Sequence, residues 1–192
     1  MAPVKVLRNT LETSIEVELE LFPKKQEISI STPVGFLNHM LELFSYHGGF
    51  TLKVIAKGDV EVDLHHTVED IGIVLGEALS KALNSRKNFA RYGEATIPMQ
   101  DALCQVVVDL ARRPYLCFKV EFPTEKIGNF DTELFKEFFY ALTINAQITL
   151  HIRSLYGENS HHIAESVFKA FAYALKKAIT PIKGTKSTKG VL

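Results

Sequence analysis

Only two cysteines occur in the 192 residues, Cys104 and Cys117, and both sit in alternating apolar stretches that read as strands. No spaced disulfide framework and no CxxC metal knuckle can be drawn from them, which suits a reducing compartment. Net charge is also missing: 22 basic residues face 22 acidic ones, so no overall positive field gathers nucleic acid or an anionic membrane. Any charged ligand must then be held locally. No apolar run approaches the roughly 18 residues of a membrane span, and the opening MAPVKVLRNTLETSIEVELEL lacks the charged-then-apolar layout of a signal peptide. The expectation is a cytoplasmic protein. What is present is ample for folding, since 46% hydrophobic and 23% charged residues supply a core for one domain or two small ones.

Periodicity divides the chain into strands and helices. IEVELEL (15–21) sets Ile15, Val17, Leu19 and Leu21 on one face and three glutamates on the other, the alternation of a half-buried strand. EISIS follows as a strand, then GFLNHMLELFSYHGGF carries Phe36, Met40, Leu43 and Phe44 at helical spacing until Gly48 and Gly49 stop it. TLKVIAKG is again a strand, and Val68, Ile71, Leu75, Leu79 and Ala82 form a long helical stripe that ends near Asn84. The second half repeats the order. RYGEATIPM, LCQVVVDL and YLCFKVEF read as strands, TELFKEFFYALTINA as a helix, ITLHIRSL as a strand and HHIAESVFKAFAYALKKA as the last helix.

Two of these helices open alike, with HHTVED at 65–70 and HHIAES at 161–166. His65 and His161 stand 96 positions apart, and laying FLNHML over LFKEFF matches His39 to Glu137 at an offset of 98. Two landmarks that agree within two residues indicate an internal duplication of about 95 residues. The expected architecture is α+β, with residues 1–90 and 91–192 as similar halves of one compact domain.

Within each motif the first histidine and the glutamate are at i and i+4 and point the same way, if Asp63 and either Asn159 or Ser160 cap the helices. Adjacent histidines diverge by about 100°. Each motif therefore offers a chelating pair, His65 with Glu69 and His161 with Glu165, and a spare histidine, His66 or His162. The economical arrangement is two metals, each taking a pair from one motif and the spare histidine of the other, within a subunit or across an interface. Imidazole and carboxylate without thiolate favour Mn²⁺, Fe²⁺, Co²⁺ or Zn²⁺, and carboxylates shift the choice toward the harder ions. A single HH pair would read as a polar helix start; two equivalent copies argue for metal.

GFLNHML, YHGGF, HHTVEDIGIVLGEAL, RYGEATIPM, VVVDLARRPY, DTELFKEFF, TLHIRSLYGENSHHIAE, FKAFAYAL and STKGVL occur here in the order seen in the imidazoleglycerol-phosphate dehydratases, and the chain resembles that family over nearly its whole length. The resemblance implies a manganese-dependent hydro-lyase that converts imidazole glycerol phosphate to imidazole acetol phosphate in histidine biosynthesis. It implies a duplicated, two-layer β-β-β-α-β-α unit related to domain 2 of ribosomal protein S5, and an octahedral homo-oligomer with active sites between subunits. Two Mn²⁺ per site are implied, with other divalent ions possible. The implied metal ligands are His39, His65, His66, Glu69, Glu137, His161, His162 and Glu165, with Glu137 at a position often histidine in relatives. His47, Arg91, Arg113, Lys169, Ser187 and Lys189 match substrate and phosphate contacts. Arginine offers a planar fork to phosphate, lysine a point charge.

The chemistry requires a proton to leave a carbon beside an imidazole, which is too weak an acid for an unaided side chain; a metal on each ring nitrogen would draw electrons from that carbon. Glu12, in the R-x-T-x-E run from Arg8, is the expected proton-transfer group, with Glu165 a second participant. Asn38 and Gln100-Asp101 depart from the family pattern, and Asn38 is expected to alter the orientation of His39. Two competing classes stay open on sequence: a dinuclear phosphoester hydrolase with the same ligands, and an S5-like RNA-binding module, which zero net charge disfavours.

Overall fold

The structure is a computed structural model that describes residues 3–85 and 88–184. Its first half runs β1 (Val4–Asn9), β2 (Thr13–Glu20), β3 (Ile28–Ser31), α1 (Gly35–Gly48), β4 (Thr51–Gly58) and α2 (His65–Asn84). The second runs β5 (Tyr92–Met99), β6 (Ala102–Asp109), β7 (Tyr115–Lys119), a short hairpin of β8 (Lys126–Ile127) and β9 (Phe130–Asp131), α3 (Leu134–Ala146), β10 (Thr149–Tyr156) and α4 (Ser160–Ala178). Strand orders β1-β2-β4-β3 and β5-β6-β10-β7 are the same order in the two halves. The pairings repeat too: two antiparallel ladders, then a parallel one joined by a helical crossover through α1 or α3. The duplicated α+β architecture expected from the repeat is the one found.

The alternation that suggested strands is the alternation of burial. Ile15, Val17 and Leu19 of β2 are sealed while Glu16 and Glu18 stay half-exposed, and Cys104, Val106 and Val108 of β6 are sealed in the same way. Each sheet thus presents one apolar face to helices, and the helices lie between the two sheets. Burial of Phe135, Phe138, Phe139, Phe168 and Phe171 fills that layer with aromatic rings. Two strand signals were missed: β1, whose one deeply buried residue is Val6, and the two-residue strands of β8 and β9. An edge strand and a tiny hairpin carry too few apolar positions to show a period.

Helix pairing brings the halves together. Along α1 and α4, Phe36 meets the ring of His161 and Phe44 stacks on Phe171 with centroids 5.1 Å apart, so the two helices run side by side in one direction. α2 and α3 do likewise, more closely. A Cβ on Gly72 would stand 2.7 Å from the carbonyl oxygen of Phe138, and one on Gly76 would stand 2.6 Å from that of Leu142. Glycine is required there because the backbones nearly touch. The N-terminal turns of α1 and α4 are therefore adjacent, as are those of α2 and α3, and those turns carry the histidines and glutamates singled out by sequence.

Candidate metal and active site

At the start of α4, the Asn159 side chain accepts from the backbone N–H of His161 at 2.9 Å and of His162 at 3.3 Å, so Asn159 is the cap and Ser160 the first helical residue. His161 turns toward α1. Its Nε2 lies 3.0 Å from Glu165 Oε1, and His39 Nε2 lies 3.1 Å from the same oxygen. Ligand atoms of His39, His161 and Glu165 all fall within 4.8 Å of one another. The other carboxylate oxygen, Oε2, accepts from Lys169 Nζ at 2.6 Å. Burial alone would raise the Glu165 pKa, but the hydrogen bonds from Lys169, His39 and His161 outweigh it and bring the group down to about 2.

His162 looks the other way, as the helical divergence of about 100° between neighbours requires, and the two ring centroids are 6.2 Å apart. Its Nδ1 is 2.5 Å from Asp101 Oδ1, at the tip of the β5–β6 hairpin. Asp101 Oδ2 accepts from the backbone N–H of Glu158 and of Asn159, at 2.7 and 2.9 Å. The contact with His162, then those N–H groups, hold the Asp101 carboxyl well below the usual range.

The start of α2 has the same residues in a looser setting. Leu64 occupies the cap position, and Asp63, one residue earlier, accepts from the His65 N–H at 2.7 Å. His65 Nε2 and Glu69 Oε2 are 3.9 Å apart. The His66 ring, its centroid 6.3 Å from that of His65, sets Nδ1 3.0 Å from Asp59 Oδ2, with Glu12 Oε2 at 3.8 Å. The Asp59 hydrogen bond chiefly raises the His66 pKa. Glu137 stands half-buried in the first turn of α3, beside this end of α2. Buried Asp70 ties the β1–β2 hairpin down, accepting from Arg8 Nε at 2.9 Å and from Thr13 Oγ1 at 2.5 Å. That clamp brings Glu12 to His66.

The expected phosphate residues fall into two groups. Arg91 forks onto Asp109 at 2.7 and 3.0 Å, and Arg113 Nη2 lies 3.7 Å from the same carboxylate. The Arg91 backbone N–H bonds the carbonyl of Ala178, at the far end of α4. At ~1.5 Å per residue, that end is about 25 Å from His161. Lys169 belongs instead to the Glu165 cluster, where its charge, after burial, also lowers the His47 pKa. Ser187 and Lys189 lie outside the described residues.

The Asn38 side chain bonds Thr32. Its Oδ1 accepts from Thr32 Oγ1 at 2.6 Å and its Nδ2 donates to the Thr32 carbonyl at 3.1 Å, so it fastens α1 to the end of β3. Sequence reasoning missed Asp59 altogether and noted Asp101 only as a departure. Neither has a periodic or local motif, and Asp101 meets His162 across 61 residues.

A duplicated α+β fold that sets paired imidazole-and-carboxylate motifs at its helix starts defines a class of protein, one built to gather divalent-cation donors at the ends of its helices. Comparison with known proteins specifies it: the family model for imidazoleglycerol-phosphate dehydratase matches residues 32–175, and the chain belongs to that family. It is 52% identical to the imidazoleglycerol-phosphate dehydratase of Clostridioides difficile over 98% of each chain. The Staphylococcus carnosus enzyme is 51% identical over 96% of each. Among solved structures, the Staphylococcus aureus imidazoleglycerol-phosphate dehydratase superposes with a TM-score of 0.85 at 43% identity, covering 94% of this chain and 99% of that one. The corresponding Pyrococcus furiosus structure gives 0.84 at 40%, covering 97% and 100%. The chain is thus a hydro-lyase of histidine biosynthesis. The phosphoester-hydrolase and RNA-binding readings gain no support. No helix among the described residues is long and apolar enough to cross a membrane.

Proposed function

We propose that this chain dehydrates imidazole glycerol phosphate to imidazole acetol phosphate with two divalent cations, Mn²⁺ for preference. The observation that carries the reading is the convergence of His39 Nε2 and His161 Nε2 on one oxygen of Glu165. Two imidazoles and a carboxylate with all donor atoms within 4.8 Å fit a divalent cation of intermediate hardness. His39, His161 and Glu165 would hold one ion; His65, Glu69 and Glu137 would hold the other, with His162 and His66 as the additional donors. When bound, the metal supplies Lewis acidity toward the ring nitrogens of the substrate, which makes the adjoining C–H easier to deprotonate.

The remaining work falls to side chains. Glu12, 56% exposed and 3.8 Å from His66 Nδ1, takes the proton from the carbon next to the ring. Glu165 serves as the second carboxylate near the departing hydroxyl. His47 contacts the substrate, and Arg91, Arg113, Lys169, Ser187 and Lys189 hold its phosphate.

An active site shared between subunits is supported by distance. The arginines near Ala178 and the cluster at His161 are about 25 Å apart within one chain, far more than a small phosphorylated imidazole spans. A neighbouring copy in a homo-oligomer, octahedral by family resemblance, supplies the missing half. Two free cysteines suit a cytoplasmic setting.

The test is to strip the protein of metal, add back Mn²⁺ and imidazole glycerol phosphate, and follow the acetol product and free phosphate. The expected result is product that depends on the added metal, with no phosphate released. Full turnover by the metal-free protein would overturn the reading, as would a metal content of one ion per chain.

A further inference from the structure

The histidines left over from the chelating pairs, His66 and His162, share a feature that the motif alone does not predict: each turns Nδ1 toward an aspartate. We infer that Asp101 is a positioning residue that locks His162 as the Nδ1–H tautomer and so presents Nε2 as its donor to a cation, and that Asp59 does the same for His66. The inference rests on the metal-dependent function proposed above.

An ionised carboxylate can only accept a hydrogen bond, so at 2.5 Å from Asp101 Oδ1 the proton belongs to His162 Nδ1. In the neutral ring Nε2 then carries the lone pair. Asp101 itself cannot swing. It sits on a two-residue turn closed by the Met99 and Ala102 pair, next to Gln100 in the left-handed region at φ 47°, and its second oxygen takes two backbone N–H groups. Those two N–H groups belong to Glu158 and Asn159, and Asn159 caps the helix that carries His162. Carboxylate, cap and imidazole therefore form one rigid unit.

The equivalent hairpin tip in the first half, between β1 and β2, carries Glu12. Glu12 stands 3.8 Å from His66, whose Nδ1 is held at 3.0 Å by Asp59 from the end of β4. The duplication has thus divided the labour of the tip carboxylate. In the second half it orients a histidine; in the first, Asp59 orients the histidine and the tip carboxylate is left for substrate.

Asp101→Asn separates this role from simple loop bracing. The Glu158 and Asn159 N–H groups require an oxygen, so the amide nitrogen is turned to His162 and favours the Nε2–H form. In ¹⁵N-labelled, metal-free protein at a pH where the ring is neutral, long-range ¹H–¹⁵N spectra should show Nδ1 protonated in the parent and Nε2 protonated in the variant. Mn²⁺ affinity should fall about 10- to 100-fold, the usual effect of losing an outer partner of a metal-bound histidine. In a His162→Ala background, Asp101→Asn should lower affinity no further. An unchanged tautomer with unchanged affinity overturns the inference, as does an undiminished loss in the His162→Ala background. If the parent binds no Mn²⁺, the proposed function fails, while the tautomer of the metal-free protein still tests Asp101 on its own.

Discussion

At the start of α4, Glu165 is 10% exposed in its side chain and receives His39, His161 and Lys169, while Asp101 receives His162 and two backbone N–H groups. At the start of α2, Glu69 is 41% exposed with His65 at 3.9 Å, and Asp59 Oδ1 is buried with no hydrogen-bond partner among the described residues. The same H-H-x-x-E spacing has thus produced one wired cluster and one open one. The difference lies in residues outside the motif: His39 reaches its cluster as a ring that can donate to Glu165, whereas its counterpart Glu137 is a carboxylate, which has no proton to donate when ionised. His65 and Glu69 stay 3.9 Å apart with no lysine among them to draw the carboxylate in. The wired half has Lys169 in that place, and the open half has Ile73 at the matching position, 96 residues earlier.

Stability of the metal-free protein should expose this contrast most strongly. Glu165→Ala strands Lys169, whose side chain is 14% exposed, and should cost about 3–5 kcal/mol, the usual penalty for removing one partner of a buried ion pair. Glu69→Ala should stay within about 0.5 kcal/mol, as surface substitutions do. Urea denaturation of the two variants checks it, and equal losses would erase the distinction between the halves.

The hairpin tips give the next contrast. Glu12→Gln should lower kcat by about 10²- to 10⁴-fold, the range for a lost general base, with Mn²⁺ affinity retained. Asp101→Asn should instead be detected in the affinity. Steady-state kinetics at saturating and limiting metal separate the two signatures, and near-normal turnover in Glu12→Gln would remove that residue from the mechanism.

These contrasts also mark what sequence can and cannot disclose. His65, Glu69, His161 and Glu165 were legible because i and i+4 on a helix is a local rule, and the repeat offset carried the reading to His39 and Glu137. The succession of strands and helices followed from alternation and the repeat, while the order of strands within each sheet came only from the structure. Asp101, Asp59 and the Arg91–Asp109 fork were not legible, because each depends on where a hairpin tip or strand end meets another element in space. Asn38 was legible as a departure, but its partner was not, since its side chain bonds Thr32 across a loop.

Metal titration should sharpen the comparison further. The cluster of His39, His161 and Glu165 has its donors assembled before any ion is bound, so less ordering opposes binding there than at His65, Glu69 and Glu137. Isothermal titration of the metal-free protein should resolve two steps. His39→Ala should remove the tighter step, and Glu137→Ala the weaker one. If Glu137→Ala removes the tighter step, the preassembled cluster gains nothing from its order, and Lys169 is competing with the ion for Glu165.

The last contrast is the acid limb of stability. Glu165 is held at about 2 in the folded chain against 4.5 for the free group, so the folded state binds its proton later than the unfolded state does. Its contribution is complete above pH ~4.5 and is lost as pH falls toward about 2. Metal-free Glu165→Gln should therefore lose less stability over that window than the parent, measured as the denaturation midpoint at successive pH values. Glu69→Gln, on the open side, should follow the parent curve. Coincident curves for the parent and Glu165→Gln would mean that the three hydrogen bonds to Glu165 do not bias its ionisation, and the wired half would be no more closed than the other.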